Sequence, residues 1–144
     1  MPSAAIGGFG TQVQIGNGGG TEVFTTIAEL RDITGPGMSL DTFEVSNQSS
    51  TGAWKEFLPG LLDGGEVTFD ISFIPTNATH NFSAGLLRDM TNRTKRNFRI
   101  VFPNAGATTW TFPAYVTAFE PGAPVNDALT ASVTLRIAGQ PTLA

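Results

Sequence analysis

Residues 66–73 alternate without a fault: Val67, Phe69, Ile71 and Phe73 fall on one side, Glu66, Thr68, Asp70 and Ser72 on the other. Such a segment is a β-strand with one face in a core and one face in water. A single strand of this kind cannot bury its apolar face alone, so the rest of the chain must supply a sheet. Leu129, Ala131, Val133, Leu135 and Ile137 repeat the pattern against Thr130, Ser132, Thr134 and Arg136. Phe98, Ile100 and Phe102 repeat it again within 97–102. Shorter strands are expected over 9–15, 22–27 and 42–46. Residues 103–107 read as a hairpin loop leading into a strand over 108–120, with Trp110, Phe112, Ala114, Val116 and Ala118 on one face. Pro113 lies inside that strand and has no N–H to give, so an edge position or a bulge is expected there.

One segment departs from period two. Phe82, Leu86, Leu87 and Met90 have helical spacing and predict a helix over 81–92. Asn77 and Thr79 lie upstream as candidate caps, and Arg88 and Arg93 lie toward the end that favours cations. The fold class expected is mainly β: an antiparallel β-sandwich or open barrel with one flanking α-helix. The 144 residues suit one domain. Within it, 1–21 reads as a Gly-rich N-terminal arm and turn, 47–65 as a long loop and 81–92 as the helix.

That long loop holds a contradiction. Gly52, Pro59, Gly60, Gly64 and Gly65 speak for a turn-rich connection, whereas Trp54, Phe57, Leu58, Leu61 and Leu62 speak for burial. Two readings follow. The five apolar residues form an assembly interface with another protein surface, or the loop folds back and caps the chain's own core.

Few residues are suited to chemistry. With no Cys there is no disulfide, thiolate metal site or Cys nucleophile. His80 is the only histidine, no Gly-x-Ser-x-Gly elbow accompanies it, and a solvent-facing or capping role is expected. Residues 63–66 resemble a calcium loop only superficially and read as a tight turn. Residues 16–20 lack the Lys-Ser/Thr of a phosphate loop. No enzyme, metal or cofactor is expected. The four Asn-x-Ser/Thr triplets, at Asn47, Asn77, Asn81 and Asn92, read as chance. Neither a secretion signal nor a membrane anchor is expected, since no apolar run approaches the ~20 residues of a membrane span.

Charged residues make up only 14% of the chain and the net charge is −4, a poor basis for gripping a nucleic-acid backbone. Nine of the twelve acids lie within 22–70 and five of the eight bases within 88–99, so either two solvated faces or two complementary faces between copies are expected.

The residues from Trp54 through Pro59-Gly60-Leu61-Leu62-Asp63-Gly64-Gly65 to Phe69 resemble the major tail tube protein family of long, non-contractile-tailed, lambda-like bacteriophages. The segments 97–103 and 130–142 support the likeness, which extends from about Thr42 to the end. The resemblance implies a β-fold with one flanking helix and no catalytic activity. It implies hexameric rings stacked into a tube, with DNA passing transiently through the central channel. It implies partners among other tail proteins (tape measure, tail terminator, distal tail) and a place in the virion after assembly in the host cytoplasm. Related tubes occur in contractile tails, secretion systems and gene-transfer particles. If acids line the channel, Asp41, Glu44, Glu66 and Asp70 are the candidates, repelling phosphates so that DNA slides. The competing functions are a lectin- or adhesin-like binding module and a small β-fold enzyme. The apolar cluster at 54–62, with few polar partners, favours protein–protein burial over a sugar site.

Overall fold

A computed structural model describes residues 3–144. The strands are β1 (Gln12–Gly16), β2 (Phe24–Thr26), β3 (Leu30–Thr34), β4 (Ser39–Glu44), β5 (Phe57–Asp63), β6 (Glu66–Ser72), β7 (Arg96–Val101), β8 (Thr109–Gly122), β9 (Thr130–Ile137) and β10 (Thr142–Leu143). The one α-helix among the described residues, α1, spans Leu86–Thr91. The main sheet runs in the order β2-β1-β7-β8-β9-β6-β3, every pairing antiparallel, with β10 beside the start of β8. β4 and β5 form a separate two-stranded ribbon.

The order of this sheet dictates its shape. β2 and β3 are its opposite edges, yet only residues 27–29 separate them. Laid flat, seven strands would put those edges about 29 Å apart at ~4.8 Å per strand. The connection reaches at most about 14 Å at ~3.6 Å per residue. The sheet therefore curls back on itself as an open barrel does. Ile27, in that connection, is buried in the core it helps to close.

The alternating segments behave as read. Val67, Phe69 and Ile71 of β6, Ala131, Val133, Leu135 and Ile137 of β9, and Phe98 and Ile100 of β7 all point inward and are buried. In β8 the buried run is Phe112, Ala114 and Val116; the register then shifts between Val116 and Ala118, and Phe119 turns to the core side. Its ring packs edge-on against Phe73, with ring centroids 5.2 Å apart. Pro113 is neither on an edge strand nor at that bulge. It sits in a central strand opposite Asn97, facing the irregular stretch between β9 and β10. β9 has ended at Ile137, so the ladder loses no partner there, and the Pro113 carbonyl still accepts from Ala138 N–H.

The helix is shorter than its periodicity suggests. Gly85 adopts an extended conformation, so α1 begins at Leu86 and not at 81. Upstream, Asn77 and Thr79 are not caps of α1: Asn77 Oδ1 accepts from Thr79 N–H and hydroxyl, and Thr79 Oγ1 accepts from Ala28 N–H. Those bonds pin the segment as turns against the 27–29 connection. Phe82 is left exposed, off the apolar face.

His80, expected at the surface, is fully buried. Its Nδ1 accepts from Ile74 N–H at 3.1 Å, which leaves Nε2–H to donate to the Ala28 carbonyl at 2.9 Å. The imidazole bridges two backbone groups across the barrel end. His80→Leu orphans both groups, at about 1–3 kcal/mol each. Urea denaturation is expected to show a loss of about 2–4 kcal/mol.

Candidate assembly surface

β4 and β5 continue the outermost strand pair of the sheet. Thr34 stands opposite Thr68 in the β3–β6 ladder; five residues on in one strand and five back in the other, Ser39 stands opposite Asp63. One long hairpin is thus divided into a base inside the sheet and an arm outside it. The division falls at Gly35-Pro36-Gly37 on one side and Gly64-Gly65 on the other. Gly65 has φ +75°, and a Cβ there would overlap the Gly37 carbonyl. These glycines let two backbones cross where the arm leaves the barrel. Residues 57–63 are therefore strand, correcting the expected loop over 47–65; only 45–56 form the connection at the tip, with a 3-10 turn over Thr51–Ala53.

An ion pair ties the arm's base to the barrel. Asp63 accepts from Gly65 N–H at 2.9 Å and from the Arg136 guanidinium of β9 at 2.8 Å. The Gly65 amide first, then Arg136, hold the Asp63 carboxyl below its ordinary value. Because the folded-state value is depressed, the pair's contribution is complete above the ordinary carboxylate range and is lost as pH falls through the folded value. An NMR titration is expected to place the Asp63 midpoint below 3.8, and Arg136→Ala to move it upward.

The five predicted interface residues all lie on this arm and are all exposed. Trp54 is 78% exposed at the tip, Leu61 82% and Leu62 80% along β5, with Phe57 and Leu58 about half exposed. The arm does not fold onto its own core, so the self-capping reading is overturned. β4 adds exposed Leu40 and Phe43, which the sequence reading had not singled out. The tip itself is tied by polar bonds: Ser46 Oγ accepts from Glu56 N–H at 2.7 Å, and Val45 N–H donates to the Glu56 carbonyl.

The four candidate lumen acids do not form one surface. Glu66 and Asp70 share the outward face of β6, where Ser132 Oγ donates to Asp70 at 2.8 Å. Asp41 and Glu44 are three apart in one strand and point to opposite faces of the arm. Glu120 of β8 stands opposite Ser132 and joins Asp70 in one outward row. The bulge before it hid that membership from any count along the sequence.

The basic cluster is largely used within the chain. Arg88 and Arg96 both bond Asp89 Oδ1 at 3.2 Å, the aspartate itself being buried. Arg99 lies 3.6 Å over the Phe24 ring. Among the described residues no group of three or more His, Cys, Asp or Glu is placed to hold a metal, and no helix is long and apolar enough to cross a membrane.

A curled antiparallel barrel with one short helix and a protruding apolar hairpin is the geometry to compare. The profile of the lambda phage tail tube protein family (TTP) matches residues 11–144. The chain belongs to the lambda phage tail tube protein family. It is thus a structural tube subunit, a virion component and not an enzyme. No curated protein matches the chain. Among solved structures, the tail of an empty gene transfer agent particle, refined with C6 symmetry, aligns with a TM-score of 0.73 at 19% identity. That alignment covers 97% of this chain and 99% of the other. The sheath/tube terminator structure of an extracellular contractile injection system (PVC, extended state) gives 0.72 at 17% identity, covering 99% and 98%. The SPP1 tail tube gives 0.66 at 13% identity, covering 92% and 75%. At these identities the likeness is one of fold, and the tail tube fold is what the neighbours share.

Proposed function

We propose that six copies of this tail tube subunit close into a ring, that rings stack into a tube, and that DNA passes through the central channel toward the host. The observation that carries the reading is the arm: Trp54, Phe57, Leu58, Leu61 and Leu62 stand uncovered in the single chain. Exposed apolar surface of this extent is ordinarily covered in an assembly. The C6 symmetry of the similarly folded gene transfer agent tail supports six as the ring number. Tape measure, tail terminator and distal tail proteins are the partners at the ends of such a tube.

In this reading the outward face that carries Glu66, Asp70 and Glu120 faces the channel. Carboxylates there repel phosphates, so a passing duplex finds no sites to stick to. Asp41 and Glu44, pointing to opposite arm faces, are not both lumen residues.

Electron microscopy of the concentrated protein tests the proposal. The expected images are stacked rings with six-fold end views and an acidic channel wall. A different ring number or a basic channel wall would overturn the corresponding part. Trp54→Ala separates assembly from folding: an exposed side chain contributes within about 0.5 kcal/mol to the monomer. The variant is expected to melt like the wild type and to form few or no tubes, as read by thermal denaturation and sedimentation.

A further inference from the structure

The turn between β1 and β2 holds the only Asn-Gly pair in the chain, Asn17-Gly18. An asparagine followed by glycine loses its side-chain amide when the next backbone nitrogen attacks it, because glycine has no Cβ to obstruct the approach. In a flexible chain the step is slow for two reasons. A backbone amide is a poor nucleophile until its proton is taken, and nothing stabilises the oxyanion that forms on the side chain.

This turn supplies both missing parts. Gly18 N–H donates to Glu22 Oε2 at 3.1 Å, so a carboxylate already sits on the proton that must leave. That carboxylate is held from its other oxygen, where Asn97 Nδ2 donates to Glu22 Oε1 at 2.9 Å. It lies across Gly16, where any Cβ would collide with it. Asn17 Oδ1 accepts from Gly19 N–H at 2.9 Å and from Val23 N–H at 3.2 Å. Two backbone donors thus meet the oxygen on which negative charge develops, as in an oxyanion hole. The Asn17 main-chain carbonyl accepts from Arg96 Nη1 at 2.6 Å, which polarises the second carbon that water can attack. Residues 17–21 are exposed, so water reaches the turn.

We propose that the β1–β2 turn is a self-modification site at which Glu22 acts as the base for deamidation of Asn17. Gly18 N gives its proton to the Glu22 carboxylate and bonds to Asn17 Cγ. The Cγ–Nδ2 bond breaks, and Nδ2 takes that proton and leaves as ammonia. Water opens the resulting imide at Cγ, giving aspartate, or at the main-chain carbonyl, giving isoaspartate. No oxidant or reductant takes part. In the isoaspartate the freed carboxylate is the group that Arg96 already holds, and the backbone of the turn is longer by one methylene. Either product adds a negative charge beside β2, an edge of the main sheet. Asp63-Gly64, the only Asp-Gly pair, is the contrast: its carboxylate, held by Gly65 N–H and Arg136, is a poor electrophile.

Peptide mapping by mass spectrometry tests the proposal. The protein is held at neutral pH, folded or unfolded in guanidinium chloride, and the tryptic peptide 1–31 is followed; Asn17 is its only asparagine. Conversion is expected to be about tenfold faster, or more, in the folded protein. Glu22→Gln keeps an acceptor for Gly18 N–H but is not a base, and is expected to bring the folded rate down to the unfolded one. A merely structural Glu22 gives the opposite sign, because a loosened turn leaves the rate unchanged or raises it. Asn97→Ala, which keeps the carboxylate but releases its second oxygen, is the further variant and is expected to slow conversion. Thermal melting checks that each variant is folded. Three results would overturn the proposal: folded protein reacting no faster than unfolded, either folded variant reacting as fast as wild type, or isoaspartate appearing at 63 as fast as at 17.

Discussion

A Leu61→Asp/Leu62→Asp double variant is expected to purify as a folded monomer, melt at the wild-type temperature and form no tubes. Both side chains are about four-fifths exposed in the single chain, so their replacement removes nothing from the barrel core. In an assembly each leucine contributes about 1.5–3 kcal/mol if fully covered. The loss of two per subunit, about 4 kcal/mol, raises the concentration needed for assembly by roughly a thousandfold. The introduced carboxylates add a desolvation cost on top of that. Light scattering with size-exclusion chromatography, together with electron microscopy, reads the result. Tubes at the wild-type concentration would remove the arm from the interface, and a molten or aggregated monomer would return its leucines to the fold.

The second large effect is at the arm's hinge. Gly65→Ala puts a Cβ onto the Gly37 carbonyl at φ +75°. A strained backbone of this kind costs about 1–3 kcal/mol before the collision is counted. The neighbour that must give way is backbone, held by the Gly37 N–H bond to the Glu66 carbonyl, so relief requires the two strands to separate. A loss of about 2–4 kcal/mol is expected, a fall in Tm on the order of 5–15 °C. Assembly should fail as well, because the arm leaves the barrel at a changed angle. Gly20→Ala, at a position with open space around it, is the matched control and is expected to be neutral. Equal melting temperatures for the two variants would show that the crossing is not tight.

The core strands were legible in the sequence because each has one dry and one wet face. β6 and β9 carry that contrast in every residue pair, and β7 carries it at Phe98 and Ile100. The arm was illegible as strand for the opposite reason: with apolar side chains on both faces there is no contrast, and Pro59-Gly60 imitates a turn. Composition alone marks Trp54, Leu61 and Leu62 as side chains that call for cover, and all three are exposed in the single chain. β3 escaped notice because it is short and mostly exposed, with Arg31 and Asp32 at its centre. The helix was half legible: Leu86 and Met90 are on its packed face, but Gly85 and the Asn77–Thr79 bonds stop it from starting earlier.

By itself the sequence determined the sheet's dry face, the absence of cysteine, and the family resemblance. These depend on local spacing and residue type. Only the tertiary structure decided that 27–29 joins opposite edges and so curls the sheet, that His80 is a buried bridge, and that Glu120 stands in a row with Asp70. It also decided that Asp41 and Glu44 part company and that the arm is apolar on two sides. Each of these depends on which distant strand supplies the hydrogen-bond partner and in what register. One bulged residue, Thr117, reverses every facing beyond it, and no count along the chain can see the ladder that puts it there.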